Sequence, residues 1–102
     1  MGMDLSGSWM KSTPNEIKKR LGDPCIHYNW SGWSFITSFL EKHGVDMSSF
    51  SGSNDGQLIP RDVCMIVAET IEKYLDELSP DDQIWLKPHI ESWKWAKNYR
   101  QY

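Results

Sequence analysis

Cysteine is scarce in this 102-residue chain, with one residue at Cys25 and one at Cys64. Two thiols cannot build the disulfide framework that small secreted domains use in place of a large core, and they fit a reducing compartment. Charge of one sign is lacking as well. Eleven basic residues against fourteen acidic ones leave a net charge of −3. With apolar residues spread along the chain, that excludes a disordered, self-repelling tail. Long hydrophobic runs are missing too: Val63 to Ala68 is the longest, far short of the ~20 residues that span a bilayer. Met1-Gly2-Met3-Asp4-Leu5-Ser6 has neither the basic start nor the apolar segment of a secretory signal. The expectation is a cytoplasmic protein that makes no membrane contact. Gly2 and Ser6 match the myristoylation pattern, but one acyl chain needs a basic patch beside it, and Asp4 has the wrong sign.

What the chain has is aromatic mass. Six tryptophans, four tyrosines and three phenylalanines can each bury roughly 150–250 Å², enough for the core of one small domain over residues 1–102. Thr13-Pro14-Asn15-Glu16 reads as a capping box opening a short helix that Gly22 and Pro24 end. Trp33, Ile36, Phe39 and Leu40 share one face of a second helix, starting near Ser31 or Gly32 and closing at His43-Gly44. A long Gly/Ser-rich connection, 44–59, follows. Val63, Ile66, Val67, Ile71, Tyr74, Leu75 and Leu78 form an apolar stripe after Pro60. Ser79 caps a last helix, with Pro88 expected to kink or restart it. The fold class these patterns predict is all-α (mainly α): three to four helices, with any β-structure confined to residues 3–10 or 46–59.

Three features recur together in one known family: Met1-Gly2-Met3-Asp4, Asn29 with Trp30 and Trp33, and Ser53-Asn54-Asp55-Gly56 ahead of a long helix. On these the chain resembles a family of small bacterial and bacteriophage proteins, from Met1 to about Leu78. It departs from them in lacking paired Cys-x-x-Cys units after the long helix. Where relatives end in Gly-Gly-Phe, it has Trp93-Lys94-Trp95. The family has no established activity, so the resemblance implies an intracellular, phage-encoded setting and no mechanism.

No chemistry stands out from the residues. Ser51, Ser53, Asp55, Gly56, Leu58 and Asp62 fall at calcium-loop spacing, but two carboxylates are too few for the ion, and a turn launching the next helix is the simpler reading. Cys25, His27, His43 and Cys64 lack zinc-arm spacing. Neither Cys25 with His27 nor Ser34 with a distant His sits in a nucleophile motif. The acids between Glu69 and Asp82 read as a solvated helix face. The expectation is therefore no enzyme, no cofactor and no metal.

Two binding surfaces are candidates. Asn29, Trp30 and Trp33 with the loop at Asn54 and Asp55 would offer a partner protein low-entropy aromatic contacts; the competing reading has Trp33 in the core and Asn29 as a helix cap. Trp95, Tyr99 and Tyr102 would share one side of a C-terminal helix flanked by Lys94, Lys97 and Arg100. That side suits a protein partner or a second copy, and alternatively single-stranded nucleic acid, whose bases stack on aromatics while cations track phosphate. An isoelectric point near 5.5 weighs against the polyanion. A non-enzymatic protein-interaction module is the leading expectation.

Overall fold

The computed structural model describes residues 2–51 and 55–102. Its elements are β1 (Gly2–Trp9), α1 (Asn15–Leu21), β2 (Cys25–Asn29), α2 (Trp30–Lys42), β3 (Leu58–Ile59), α3 (Arg61–Lys73), a 3-10 turn (Leu75–Glu77), α4 (Pro80–Trp95) and β4 (Ala96–Gln101). The strands pair antiparallel in the order β2-β1-β4-β3. The all-α expectation, and with it the description of the chain as simply helical, is overturned: this is an α+β fold. β1 and β3 lie in or beside the two windows expected to hold β-structure. β2 and β4 lie outside both.

The strands form because their side chains alternate. Met3 and Leu5 of β1 are wholly buried while Asp4 and Ser6 are exposed, the two-residue period of a pleat. In β2, Ile26 and Tyr28 turn inward and Cys25, His27 and Asn29 outward. β4 buries Tyr99 and Gln101 and exposes Lys97 and Arg100. Here hydropathy misleads, because one of the inward residues is a glutamine. Trp95, Tyr99 and Tyr102, spaced four and three apart, imitate a helical face that does not exist.

The inward sheet residues join Trp33, Ile36, Phe39 and Leu40 of α2, Cys64, Val67 and Ile71 of α3, and Leu86 and Trp93 of α4 in one core. Each fully buried aliphatic side chain contributes about 1.5–3 kcal/mol. Asn29 caps α2 by accepting a hydrogen bond from the Gly32 amide at 2.6 Å, and Ser79 caps α4 through the Asp82 amide at 3.2 Å. Gly44, at φ 82°, follows the end of α2 in a conformation other residues disfavour. The expected cap at Thr13 is not made. Pro14 takes that place, and the buried Thr13 hydroxyl donates to the Trp95 carbonyl at 3.3 Å instead. The stripe after Pro60 is broken at Tyr74, not continuous to Leu78. α4 runs through Pro88 without a break. The carbonyl that Pro88 cannot bond belongs to Ile84, which is 72% exposed, so water can serve it. Among the described residues no helix is long and apolar enough to cross a membrane.

The connection before α3 is held by one buried side chain. Gln101 Oε1 accepts from the Ser51 amide at 2.7 Å, and Nε2 donates to the carbonyls of Ser49 (2.9 Å) and Gln57 (3.1 Å). Its backbone carbonyl accepts from Gly56 at 2.6 Å. Arg61 does similar service where α4 passes into β4, donating to the carbonyls of Lys94 and Ala96. Gln101→Ala is expected to cost about 3 kcal/mol, since it removes the side-chain partner of the half-buried Ser51 amide and Ser49 carbonyl, at about 1–3 kcal/mol each. Urea denaturation checks this; a loss under 1 kcal/mol would mean that water replaces the amide.

Candidate functional site

β2 is an edge strand with its outer side open. Asp4 exchanges both backbone hydrogen bonds with Tyr102 (3.1 and 2.8 Å), and Gly7 donates to Pro24 at 3.0 Å. Alternation along an antiparallel ladder then turns Met3 and Leu5 toward their partners Tyr28 and Ile26. The backbone groups of Cys25 and His27, and the Asn29 amide, consequently point away from the sheet. Among the described residues no other strand lies along them.

A cleft of about 550 Å³ adjoins this edge, between β2, the start of α2 and the start of α4. Tyr28, Phe35 and Trp85 supply its rings, and Ser31, Asn29 and Asp82 its polar rim. It continues along α2 into a hollow of about 590 Å³ that shares Ser31, Phe35 and Asp82 and reaches Phe39, Lys42 and Glu77. Trp85 is placed by its own carboxylate partner: its indole N–H donates to Asp82 Oδ1 at 2.9 Å. Around it stand Phe35 (5.7 Å, 60°), Tyr28 (6.2 Å, 73°) and His89 (6.3 Å, 75°) in tilted and edge-on geometries, which aromatic quadrupoles favour.

Behind the rings lies a short hydrogen-bond chain. Trp93 Nε1 is 3.2 Å from the Tyr28 hydroxyl, which is 2.9 Å from His89 Nδ1. An indole can only donate, so Tyr28 Oη accepts there, which leaves its own O–H able to donate to Nδ1 of a neutral His89. Burial agrees with this: it lowers the His89 pKa from its ordinary 6.5 and raises that of the Tyr28 phenol. Away from the cleft, in α3, burial pushes the Cys64 thiol up to about 12, which keeps it unreactive.

The residues singled out in the sequence are dispersed. Asn29 sits at the end of the β2 edge and is spent on its cap. Trp30 is 40% exposed and Trp33 only 4%, its indole N–H donating to the Ser51 carbonyl at 2.9 Å. Trp33 thus belongs to the core, as the competing reading has it, and not to a contact surface. It still brings α2 to the connection, where the Ser51 hydroxyl donates to Asp55 Oδ2 at 3.0 Å. Ser53 and Asn54 lie outside the described residues. Asp55 also accepts from the Gln57 amide at 3.2 Å, which makes it a turn residue. Among the described residues no three His, Cys, Asp or Glu side chains gather as a metal site.

The second candidate surface is lost. Trp95 ends α4 with Lys94 over its ring, while Tyr99 is wholly buried in β4 and donates to the Ser92 carbonyl at 2.9 Å. Tyr102, 52% exposed, is bonded to Asp4 beyond the strand's end. Of the cleft's lining, Asn29 is among the residues singled out, whereas Tyr28, Phe35, Asp82 and Trp85, with His89 behind them, are not. The four-residue step from Trp85 to His89 and the alternation over 25–29 were their signals. No protein-family model, no curated protein and no solved structure matches the chain.

Because the fold keeps His89 neutral, the unfolded chain takes up an extra proton as pH falls below 6.5. Stability from this group is full above that value and falls with pH from there, levelling off below the folded-state pKa. The melting temperature should therefore drop more steeply between pH 7.5 and 5.5 in the wild type than in His89→Gln. His27 and His43, each beside a carboxylate, are common to both proteins. Equal slopes would show that His89 is not held neutral.

Proposed function

We propose that this chain is a non-enzymatic protein-interaction module, which takes an extended segment of a partner protein as an added strand along β2. One observation carries the reading: unpaired backbone groups at Cys25, His27 and Asn29 run beside an aromatic cleft. Strand addition draws affinity from main-chain hydrogen bonds and selectivity from pockets for alternate side chains, and both parts are present at this edge. The opposite edge is poorer, because β3 has two residues and Pro60 follows it. Trp30, at the start of α2, extends the apolar contact past the end of the strand. The resemblance to bacterial and phage proteins supports an intracellular, phage-encoded setting for the partner.

Single-stranded nucleic acid has less to hold. Tyr99, the central ring of the expected stacking surface, is in the core, and the cations nearest it, Lys97 and Arg100, are on a strand beside it.

Extended peptides selected from a random library are expected to bind in solution, with affinity nearly unchanged between 50 and 300 mM salt. His27→Pro removes one outward N–H at an edge position that tolerates proline. It should weaken binding about tenfold, the worth of one hydrogen bond, without lowering the cooperativity of unfolding. Fluorescence anisotropy measures both. Binding of single-stranded DNA or RNA that collapses as salt rises, with no peptide bound, would contradict the proposal.

A further inference from the structure

We propose that the cleft beside β2 receives a cationic side chain, an arginine or lysine of the docked segment. This inference rests on the strand-addition reading above. A strand added to β2 places the residue opposite Tyr28 on the same face as Tyr28, the helix-covered face on which Phe35 and Trp85 lie. What the cleft offers that side chain is aromatic and acidic. Phe35 and Tyr28 stand at 60° and 73° to the Trp85 plane, so ring surfaces border one space from several directions. The negative face of a ring attracts a cation, most strongly for Trp. Asp82 completes the set: Oδ1 accepts the Trp85 N–H, and Oδ2 has no hydrogen-bond partner among the described residues.

The chain supplies no cation of its own there. It has eleven Lys and Arg, yet none lines the cleft. Elsewhere it does place its own ammonium groups against rings, Lys94 over Trp95 and Lys73 over Tyr74. The positively inclined groups nearby are accounted for. His89 Nδ1 is hydrogen-bonded to the Tyr28 hydroxyl, and His27 is paired with Asp4. The starts of α2 and α4 each carry about half a unit of positive charge, against the carboxylates of Asp82 and its neighbour Asp81 in the first turn of α4. A guanidinium fits this arrangement well, since its plane stacks on an indole while its edge donates to a carboxylate.

The experiment uses nine-residue fluorescent peptide pools, random except for a central Arg, Lys, Leu or Glu, with free arginine amide as a separate probe. The Arg and Lys pools should bind the wild-type protein at least about tenfold more tightly than the Leu and Glu pools. Asp82→Asn keeps an acceptor for Trp85, and Phe35→Leu keeps apolar volume. Each should remove most of the Arg preference and leave the Leu pool unchanged. Arginine amide should shift the Trp85 indole N–H resonance saturably. If the Leu pool binds as tightly as the Arg pool, cation selectivity is overturned while strand addition stands. If no pool binds but arginine amide still shifts Trp85, the cation site stands and strand addition falls. Silence in both overturns the proposal.

Discussion

The Tyr28 hydroxyl is where the two layers of this protein are tied by polar bonds. Its residue pairs with Met3 in the sheet, while its side chain accepts a hydrogen bond from Trp93 Nε1 and is hydrogen-bonded to His89 Nδ1 on α4. A buried phenol is tolerable only when its hydrogen bonds are made. The register of α4 against β2 is therefore set to within a fraction of a turn. Trp85, one turn before His89, is carried with it to the rim of the cleft. The open edge of β2 and the ring wall beside it are consequences of one anchoring.

That anchoring also explains the shape of the site. α2 leaves β2 directly after Asn29, and the start of α4 lines the same cleft through Asp82 and Trp85. Trp33 of α2 bonds the Ser51 carbonyl, and Gln101 holds the same connection from β4. At the far edge Gln101 holds Ser49, Ser51, Gly56 and Gln57 beside β4, whereas among the described residues no backbone pairs with the outer side of β2. Of the two edges, β2 is the better suited to an added strand, since β3 has two residues and Pro60 follows it.

The helices were legible where local chemistry decides them. The caps at Asn29 and Ser79 and the stop at Gly44 are short-range signals, and the structure uses each. Thr13 looked like the same signal, but its hydroxyl is claimed by Trp95, a residue 82 positions away that no local pattern includes. β4 was illegible for a related reason. Its inward Gln101 is satisfied by three segments of the connection, a tertiary arrangement that makes a polar residue behave as core. The site was illegible because it is assembled from β2, α2 and α4, with Phe35 and Trp85 fifty residues apart in sequence. Asn29 and Trp30 stand out in the sequence because the aromatic cluster around them is contiguous; Trp33, in the same cluster, belongs to the interior.

The central claim is that the outer side of β2 is an acceptor for another strand. Amide hydrogen exchange along Cys25–Asn29 tests it most directly. In the free protein the Ile26 and Tyr28 amides, bonded to β1, should exchange slowly, and the Cys25 and His27 amides fast. With a selected peptide bound, protection should extend to Cys25, His27 and Asn29 and abolish the alternation. Binding that leaves the Cys25 and His27 amides as fast as before would contradict the account, because the partner would then be held elsewhere.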